Sequence, residues 1–384
     1  MARVVLGSYM VRFPLGGMMS WVLQYLTGFQ RLGNDVYFVE KADYPDACYD
    51  PSRDVVGDDC SYGVAMVHAQ LDRLGLGDRW CFVDSRGEYH GLSRERVEAL
   101  FRSADLFVDM GTHGSWMREA AASWARVLID GEPGFTQIKM AHRQENGERL
   151  PEYDAYYTTG RNVGTSASDA PTAGRRWRPI FHPVDTRRLT QAPAPPAGAP
   201  FTTVMNWRSH EPVRYRGTAY GQKDREFGKF IGVPRATGVP FELAVSEDAP
   251  RDRLAAAGWR LRKASEATRS VPAFHDYLRS SRGELGVCKE VFVSLRTGWF
   301  SDRSAAYLAC GRPVVLQDTG FGDHLPTGTG LFAVESADDA AAAIEEIDGD
   351  YPRHARRARE IALEFLDAPK ILSGLLRDLG LRRG

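Results

Sequence analysis

Short runs of apolar and β-branched residues recur along the first half of the chain, separated by longer segments. The runs predict five strands, at 3–9, 34–40, 104–111, 125–131 and 153–160. The segment between the first two carries apolar residues at helical spacing, namely Met18, Trp21, Val22, Tyr25 and Leu26. We therefore predict a helix over 18–33. Strands that alternate with helices in this way are typical of a parallel sheet covered on both faces.

The stretch TQAPAPPAGAP at 190–200 breaks this pattern, and its proline and alanine content predicts a semi-rigid linker. A second series of runs follows it and predicts strands at 201–207, 241–246, 259–264, 291–296, 313–318 and 330–336. Helices are predicted over 336–347, with Ser336 as the N-cap, and over 352–381, with an interruption near Pro369. We expect an α/β protein with two parallel-sheet domains, 1–189 and 201–364, facing each other across a cleft.

Composition and charge limit the kinds of molecule that the protein is expected to bind. The 384 residues include 49 Lys and Arg against 50 Asp and Glu, a net charge of −1, which argues against a nucleic-acid protein with a broad basic footprint. Residues 1–17 are interrupted by Arg12 and Pro14 and predict a first strand rather than a signal peptide. No apolar stretch is long enough to span a membrane, so we expect a cytoplasmic protein.

The five cysteines are odd in number and form no CxxC pair: Cys48, Cys60, Cys81, Cys288 and Cys310. This pattern favours free thiols over a disulfide framework or a structural zinc site. Asp58-Asp59 and Asp348-Gly349-Asp350 are the only carboxylate groupings that suggest a metal, and the second resembles a turn. The sequence therefore predicts no metal site.

Ligands of open α/β sheets bind beyond the carboxyl ends of the strands, so the loops that follow strands hold the candidate chemistry. Gly16 and Gly17 follow the first strand and precede a helix. Glycine lets backbone approach a ligand and a helix N-terminus favours an anion, although an ordinary tight turn explains the pair equally simply.

Two further loops of the first half carry ionisable side chains. Asp109 and His113 follow one strand, where His113 could act as a general base or bind a hydroxyl-rich substrate, or else cap the next helix. Asp130 and Glu132 follow another, where they could bind sugar hydroxyls or share acid–base work, or else serve turn chemistry.

The second half supplies cations. Residues 205–230 combine arginines, aromatic residues and Lys223, which suits a phosphate and a flat ring, the alternative being a solvated basic loop. Glu284 and Lys289 precede the apolar run at 291–296. In RTGWFSDRSAAYLACGRPVVLQDTGFG, residues 296–322, Ser301 or Asp302 can cap a helix that Gly311 ends.

A second glycine-marked turn, Asp318 to Gly322, follows the next strand. Two anion-receptive turns side by side, with Asp302 and Arg303 between them, describe a site for a nucleotide diphosphate. The alternative is a purely structural strand, helix and turn.

The same segments resemble GT-B glycosyltransferases. GGMMSWVLQYLTGFQRLGNDVYFVE (16–40) resembles the acceptor-side first helix and second strand of glycosyltransferase family 4-like enzymes, and residues 296–322 are similar to their donor-site segment. IDGEPGFTQ (129–137) and GELGVCKEVFVSLRTGWFSDR (283–303) resemble a little-characterised bacterial branch of that group.

The resemblance implies two Rossmann-like domains, with a nucleotide-sugar donor held by the second and the acceptor by the first, and no required metal or other cofactor. It implies that a C-terminal helix, 365–384, crosses back to complete the first domain. It implies that Gly16 and Gly17 line the cleft. Asp130 and Glu132 are the candidate acceptor-side carboxylates, and the chemistry of transfer assigns His113 or Asp109 as the base of an inverting enzyme, with His113 binding the sugar in a retaining one. Retention is slightly favoured. The implied donor contacts are Lys223, Glu284, Lys289, Trp299, Phe300, Ser301, Asp302, Arg303, Asp318, Thr319, Gly320 and Phe321.

One departure concerns the ribose. Family 4 enzymes carry two glutamates eight positions apart around this helix, the second of which binds the ribose, and Gly298 and Ala306 stand at those positions here. Asp302 or Glu284 are the candidate substitutes.

Two other functions remain open, a nucleotide-sugar epimerase of the same fold and a non-catalytic nucleotide or sugar sensor. Alanine and arginine usage points to a GC-rich bacterium, with a natural-product or cell-envelope acceptor, and a homodimer is compatible with all three functions.

Overall fold

The computed structural model describes residues 1–381, and the first half of the chain forms one mainly parallel sheet flanked by helices. Its elements in chain order are β1 (Arg3–Gly7), α1 (Gly16–Arg31), β2 (Asp35–Lys41), β3 (Cys48–Asp50), β4 (Val55–Gly57), α2 (Ser61–Asp72), β5 (Trp80–Val83), β6 (Tyr89–Gly91), α3 (Arg94–Arg102), β7 (Leu106–Asp109), α4 (Met117–Ala120), β8 (Ala125–Asp130), α5 (Phe135–Glu145), β9 (Ala155–Thr158) and β10 (Trp177–Pro179). The strand order is β10-β9-β8-β7-β1-β2-β5-β6, and only the edge strand β6 is antiparallel to its neighbour.

The second half forms a six-stranded, wholly parallel sheet in the order β15-β14-β11-β16-β17-β18. Its elements are β11 (Phe201–Met205), β12 (Val213–Tyr215), β13 (Thr218–Tyr220), α6 (Lys223–Glu226), α7 (Val233–Ala236), β14 (Phe241–Val245), α8 (Arg251–Ala256), β15 (Arg260–Lys263), α9 (Ala264–Ala267), α10 (Val271–Ser280), β16 (Gly283–Gly286), α11 (Glu290–Ser294), α12 (Asp302–Ala309), β17 (Val314–Gln317), β18 (Leu331–Val334), α13 (Ala337–Gly349), α14 (Tyr351–Ile361) and α15 (Ala368–Asp378). The α/β class with two parallel sheets is thus confirmed.

One predicted strand is wrong. The apolar run at 291–296 lies mostly in the short helix α11, and the strand of this region is β16, whose sequence is GELG. A short apolar run cannot distinguish a strand from one buried helical turn by periodicity. β16 went unpredicted because glycine and glutamate are poor strand residues, yet all four of its residues are buried.

The C-terminal helix α15 packs on α1 of the first domain. A Cβ added to Gly28 of α1 would lie 2.6 Å from Leu372 and 2.8 Å from Ala368, so glycine permits this close approach. Arg31 adds ion pairs to Asp185 at 2.7 Å and Asp367 at 3.0 Å. Residues 382–384 of the predicted 365–384 helix lie outside the described residues, and the domain limits remain predictions.

Within residues 1–381, no helix combines the length and the apolar character that crossing a bilayer requires.

Candidate functional site

A buried ion pair lies where the strands of the second sheet end. Glu284 on β16 is fully buried, and its Oε1 accepts a hydrogen bond from Arg303 Nε at 2.6 Å. Arg303, in the first turn of α12, also donates from Nη1 to the carbonyl oxygen of Val204 on β11 at 2.7 Å. Burial opposes the charge of Arg303, but Glu284 outweighs it and the pKa of Arg303 is raised. The pair therefore fixes α12 to two adjacent strands.

This pair is not saturated. Arg303 Nη2 and Glu284 Oε2 are both buried, and neither has a hydrogen-bond partner among the described residues. The amide of Gln222, in the preceding loop, also has both of its polar atoms buried and unpaired. Buried polar atoms without partners carry a desolvation cost, which a ligand that supplies partners would remove.

Lys223 lies beside the pair at the start of α6. It is 8% exposed, and within residues 1–381 nothing accepts a hydrogen bond from its Nζ. Burial, followed by the charge of Arg303, lowers its pKa to about 7. A lysine held this way gains an anionic partner favourably, because the anion restores the charge that burial disfavours.

The third cation reaches the first domain. Lys289, the residue before α11, donates from Nζ to Glu132 Oε2 at 2.5 Å, and Glu132 lies in the loop after β8. A cation predicted on the donor side and a carboxylate predicted on the acceptor side are therefore in contact. We refer to Lys223, Lys289 and Arg303 as the cation cluster.

The first domain contributes a buried histidine that the sequence analysis did not identify. His182, after β10, is 4% exposed, and Trp21 Nε1 donates to its Nδ1 at 3.1 Å. Burial lowers the pKa of His182, while the charges of Asp302 and Glu132 oppose this. Because Nδ1 accepts, neutral His182 carries its hydrogen on Nε2.

Asp302 acts on the first domain across the boundary. Burial raises the pKa of Tyr9 to about 12, and the charges of Glu132 and Asp302 add to that increase. Together with the effect on His182, this places Asp302 and Glu132 electrostatically close to the same first-domain residues. We refer to the cation cluster, Asp302, Glu132, Tyr9 and His182 as the polar region, which the Lys289–Glu132 ion pair joins across the two halves of the chain.

The two predicted base candidates differ sharply in the structure. Asp109 is fully buried and accepts hydrogen bonds from Thr112 N at 2.8 Å, Gly114 N at 3.0 Å and Tyr153 Oη at 2.6 Å. His113 is exposed and has a left-handed backbone, with φ at 52°. Asp109 therefore organises the loop that carries His113, and His113 is the one that can meet a ligand.

Asp130 also organises a loop. It is buried and accepts hydrogen bonds from Glu132 N, Gln137 Nε2 and Thr158 Oγ1, each at 2.8 Å. Burial raises the pKa of its carboxyl. Of the predicted pair of acceptor-side carboxylates, Glu132 alone reaches the cation cluster, and Asp130 holds its loop in place.

Gly16 has a packing role that differs from the predicted ligand approach. Its amide donates to the carbonyl of Thr268 at 2.5 Å, and a Cβ at this position would overlap the carbonyl of Ser270. A Cβ on Gly17 would lie 3.6 Å from the ring of Phe274. The close backbone approach that glycine allows is thus used for contact between the domains at Gly16.

The two glycine loops of residues 296–322 close around Asn162 of the first half. Gly298 and Gly320 have φ values of 72° and 89°, and a Cβ on either would lie within 2.9 Å of Asn162. Asn162 Nδ2 donates to the carbonyl of Arg296 at 3.2 Å, and its Oδ1 is paired with His324 Nε2 at 2.7 Å. At these two glycines, the loops predicted to hold a phosphate instead pack against Asn162 of the same chain.

Several predicted donor contacts are interior residues. Phe300 and Phe321 are buried against each other at a ring distance of 5.4 Å, and Trp299 packs on Phe292 at 4.6 Å. Aromatic rings gain more from burial here than they would on a cleft wall. Ser301 caps α12 as predicted, accepting from Arg303 N.

Thr319 is also engaged, because its hydroxyl donates to the carbonyl of Trp299 at 2.6 Å. Asp318 Oδ1 accepts from the amide of Gly320 at 2.9 Å, which shapes this turn. Among the predicted donor residues, Lys289, Trp299 and Gly320 each contact the first half of the chain, at Glu132, Gly160 and Asn162 respectively.

Solved structures match the chain over its full length. An α-glucosyltransferase in complex with UDP aligns with a TM-score of 0.61 at 9% identity, covering 99% of this chain and 100% of the other. Anabaena HepE in complex with UDP and glucose gives 0.54 at 13% identity, covering 99% and 100%. Sucrose-phosphate synthase from Thermosynechococcus elongatus gives 0.55 at 13%, covering 99% of each chain. The chain has the GT-B fold.

No family model and no curated protein matches the sequence. At these identities the structural likeness establishes the GT-B fold alone. The polar region is therefore interpreted from its own residues.

Proposed function

We propose that this GT-B chain is a glycosyltransferase that moves a sugar from a nucleotide-diphosphate donor to a hydroxyl or amine of a small molecule or glycan. The observation that carries the proposal is Lys223, a nearly buried lysine near Arg303 that has no anionic hydrogen-bond partner within residues 1–381. The UDP present in the structural matches supports a nucleotide ligand for the same fold.

The cation cluster suits the leaving group. When the bond between the sugar C1 and the diphosphate oxygen breaks, negative charge develops on the diphosphate. Lys223 and the unpaired Nη2 of Arg303 would stabilise that charge, together with the N-terminus of α12. Because these side chains supply the positive charge, we propose that transfer requires no metal ion.

The acceptor proton has two routes. In an inverting reaction His113 would take it, since Asp109 is held by three hydrogen bonds. In a retaining reaction the departing phosphate would take it, and His113 would bind the sugar.

The ribose contact falls to Asp302 in this proposal. Glu284 is committed to Arg303, whereas Asp302, at the start of α12, is half-buried, and its charge acts on His182 of the first domain. Neither residue that stands in place of the two absent glutamates can contact the ribose. Gly298 lies against Asn162, and Ala306 is buried.

The acceptor is proposed to be other than a nucleic acid. One structural match is an α-glucosyltransferase in complex with UDP and DNA, but this chain has a net charge of −1 and lacks the excess of basic residues that binding a phosphate backbone requires.

A thermal-shift panel of UDP-, GDP-, dTDP- and ADP-linked sugars tests the donor site. We expect one nucleotide class to raise the melting temperature of the native chain and to leave Lys223→Met unaffected, because a ligand that binds only the folded state stabilises it. The absence of a shift with all four classes would contradict the proposal.

Product analysis then separates the three functions. Release of nucleotide diphosphate together with a glycosylated acceptor supports transfer. Conversion of the donor sugar without an acceptor would indicate an epimerase, and a shift without turnover would indicate a sensor. An epimerase needs carboxylates that are free to exchange protons with the substrate. Asp130 already accepts three hydrogen bonds from the protein, and this argues against an epimerase.

A further inference from the structure

Three metal-ligating side chains meet at the edge of the first sheet, away from the cation cluster. Cys60 immediately precedes α2, Asp84 follows β5, and His90 lies on the edge strand β6. One ligand atom from each lies within 4.8 Å of the other two. The sequence analysis expected no metal site, because the three residues share no short motif and only the fold brings them together.

We propose that Cys60, Asp84 and His90 hold a zinc ion. His90 Nε2 lies 3.6 Å from Cys60 Sγ and 3.1 Å from Asp84 Oδ2. Zinc bonds of about 2.0–2.3 Å separate two ligands of a tetrahedral site by ~3.3–3.8 Å. The His90–Cys60 separation falls within this range, and the His90–Asp84 separation is slightly shorter, so small side-chain movements would admit the ion.

Hydrogen bonding can join His90 to only one of its two neighbours at a time. The same nitrogen of His90 faces both the thiol and the carboxylate. If Nε2 carries a hydrogen, it points to one of them, and if Nε2 is bare, its lone pair faces the carboxylate. A cation bound by the bare nitrogen, the thiolate and the carboxylate would engage all three groups at once.

The carboxylate is oriented for the role. Asp84 Oδ1 accepts from the amides of Arg86 and Glu88, both at 2.9 Å, which leaves Oδ2 turned towards His90. Such outer hydrogen bonds are how proteins orient metal ligands. The β5–β6 turn therefore holds Asp84 and His90 in a fixed relation to each other.

The surroundings supply space and charge for a fourth ligand. A cavity of about 640 Å³ adjoins the cluster and is also lined by Asp58, Asp59 and His68. It can admit a water molecule, the usual fourth ligand where protein provides three. A thiolate and an imidazole favour zinc over magnesium or calcium, which prefer oxygen ligands.

The expected consequence is structural. Cys60 immediately precedes α2, and a Cβ on Gly63 in the first turn of that helix would overlap the carbonyl of Val11 in the β1–α1 loop. A zinc ion would thus tie the β5–β6 hairpin to α2 and, through it, to a loop of the domain boundary. This inference is independent of the proposed transfer reaction.

The test uses the full chain after dialysis against a chelator. Titration with zinc chloride should show one ion bound per chain and a higher melting temperature, and cobalt should give a thiolate charge-transfer absorption band. Cys60→Ser should lose that band, and His90→Gln should weaken zinc binding more than ~100-fold.

Cys48→Ser serves as the matched control, because Cys48 is a buried thiol near Cys60 but is not part of the cluster. It should bind zinc as the native chain does. A native chain that takes up no zinc would overturn the proposal, as would zinc binding that persists unchanged in both Cys60→Ser and His90→Gln.

Discussion

Both sheets carry charged residues on their strands or in the loops and helices that follow them, but the two sheets use these residues differently. In the first, Glu40, Asp109 and Asp130 are buried carboxylates that each accept at least three hydrogen bonds from nearby donors. In the second, and within residues 1–381, Lys223 Nζ has no hydrogen-bond partner, and Arg303 and Glu284 each retain one side-chain atom without a partner. The carboxylates of the first sheet stabilise loops, whereas the charged groups of the second sheet retain hydrogen-bonding capacity that a ligand could use.

The difference teaches that a charged residue after a strand is a weak predictor of chemistry. A buried carboxylate surrounded by backbone amides stabilises a loop, because each amide would otherwise lack a partner. A buried cation without an anion destabilises the free protein, which is the signature of a group retained for binding. Saturation of hydrogen bonds therefore distinguishes the two roles better than burial or charge does.

The largest expected effect is on stability in the first sheet. Asp130→Ala leaves the buried donors of Gln137 and Thr158 unpaired and should lower the free energy of unfolding by about 4 kcal/mol. Nucleotide affinity should change much less than in Lys223→Met, because Asp130 is connected to the cation cluster only through the Glu132 loop. Chemical denaturation and calorimetry measure both quantities, and a large loss of affinity in folded Asp130→Ala would break the comparison.

The second sheet should respond in the opposite way. Lys223→Met should weaken binding of the nucleotide diphosphate about 100-fold, because a charge-assisted contact is lost. The free protein should become more stable, since an unpaired buried cation is removed. Calorimetric titration and thermal melting check the two signs, and an unchanged affinity would assign Lys223 to the structural class.

The glycine contacts at Asn162 are expected to have a smaller effect. Gly320→Ala should cost about 2 kcal/mol, partly for its positive φ and partly for the contact at 2.6 Å with Asn162 Nδ2. Adding Asn162→Ala to the Gly320→Ala chain should recover the part of this free energy that comes from the close contact, but not the part that comes from the positive φ. A double-mutant cycle with no coupling would show that the two loops do not press on Asn162.

The pH dependence of stability gives the smallest effect. The pKa of Lys223 is about 7 in the folded chain and near its ordinary value of 10.5 when unfolded, so between these values the unfolded chain binds more protons. The free energy of unfolding should therefore rise with pH, by about 1 kcal/mol from pH 7 to pH 8, relative to Lys223→Met. Parallel pH profiles for the two proteins would show that Lys223 has an ordinary pKa.

Local signals in the sequence were reliable for caps and for most strands. Ser301 and Ser336 were predicted as N-caps because a hydroxyl before a helix satisfies amides within three residues, and both do so. The run at 291–296 failed because five or six apolar residues fit one buried helical turn as well as a strand.

The site was less predictable because its decisive contacts join distant residues. Asn162 and His182 carry no local motif, and their roles arise from partners more than 130 positions away in the chain. The glycines at 298 and 320 signalled close approach correctly, but nothing in their neighbourhood could show that the approaching group is Asn162.

The most direct measurement is proton uptake on binding of the nucleotide diphosphate at pH 8, obtained by calorimetry in buffers of different ionisation enthalpy. If Lys223, with its pKa lowered to about 7, receives the anion, the native chain should take up nearly one proton per nucleotide, because the bound lysine regains its charge. Lys223→Met should take up none. Tight binding by the native chain without proton uptake would contradict the account.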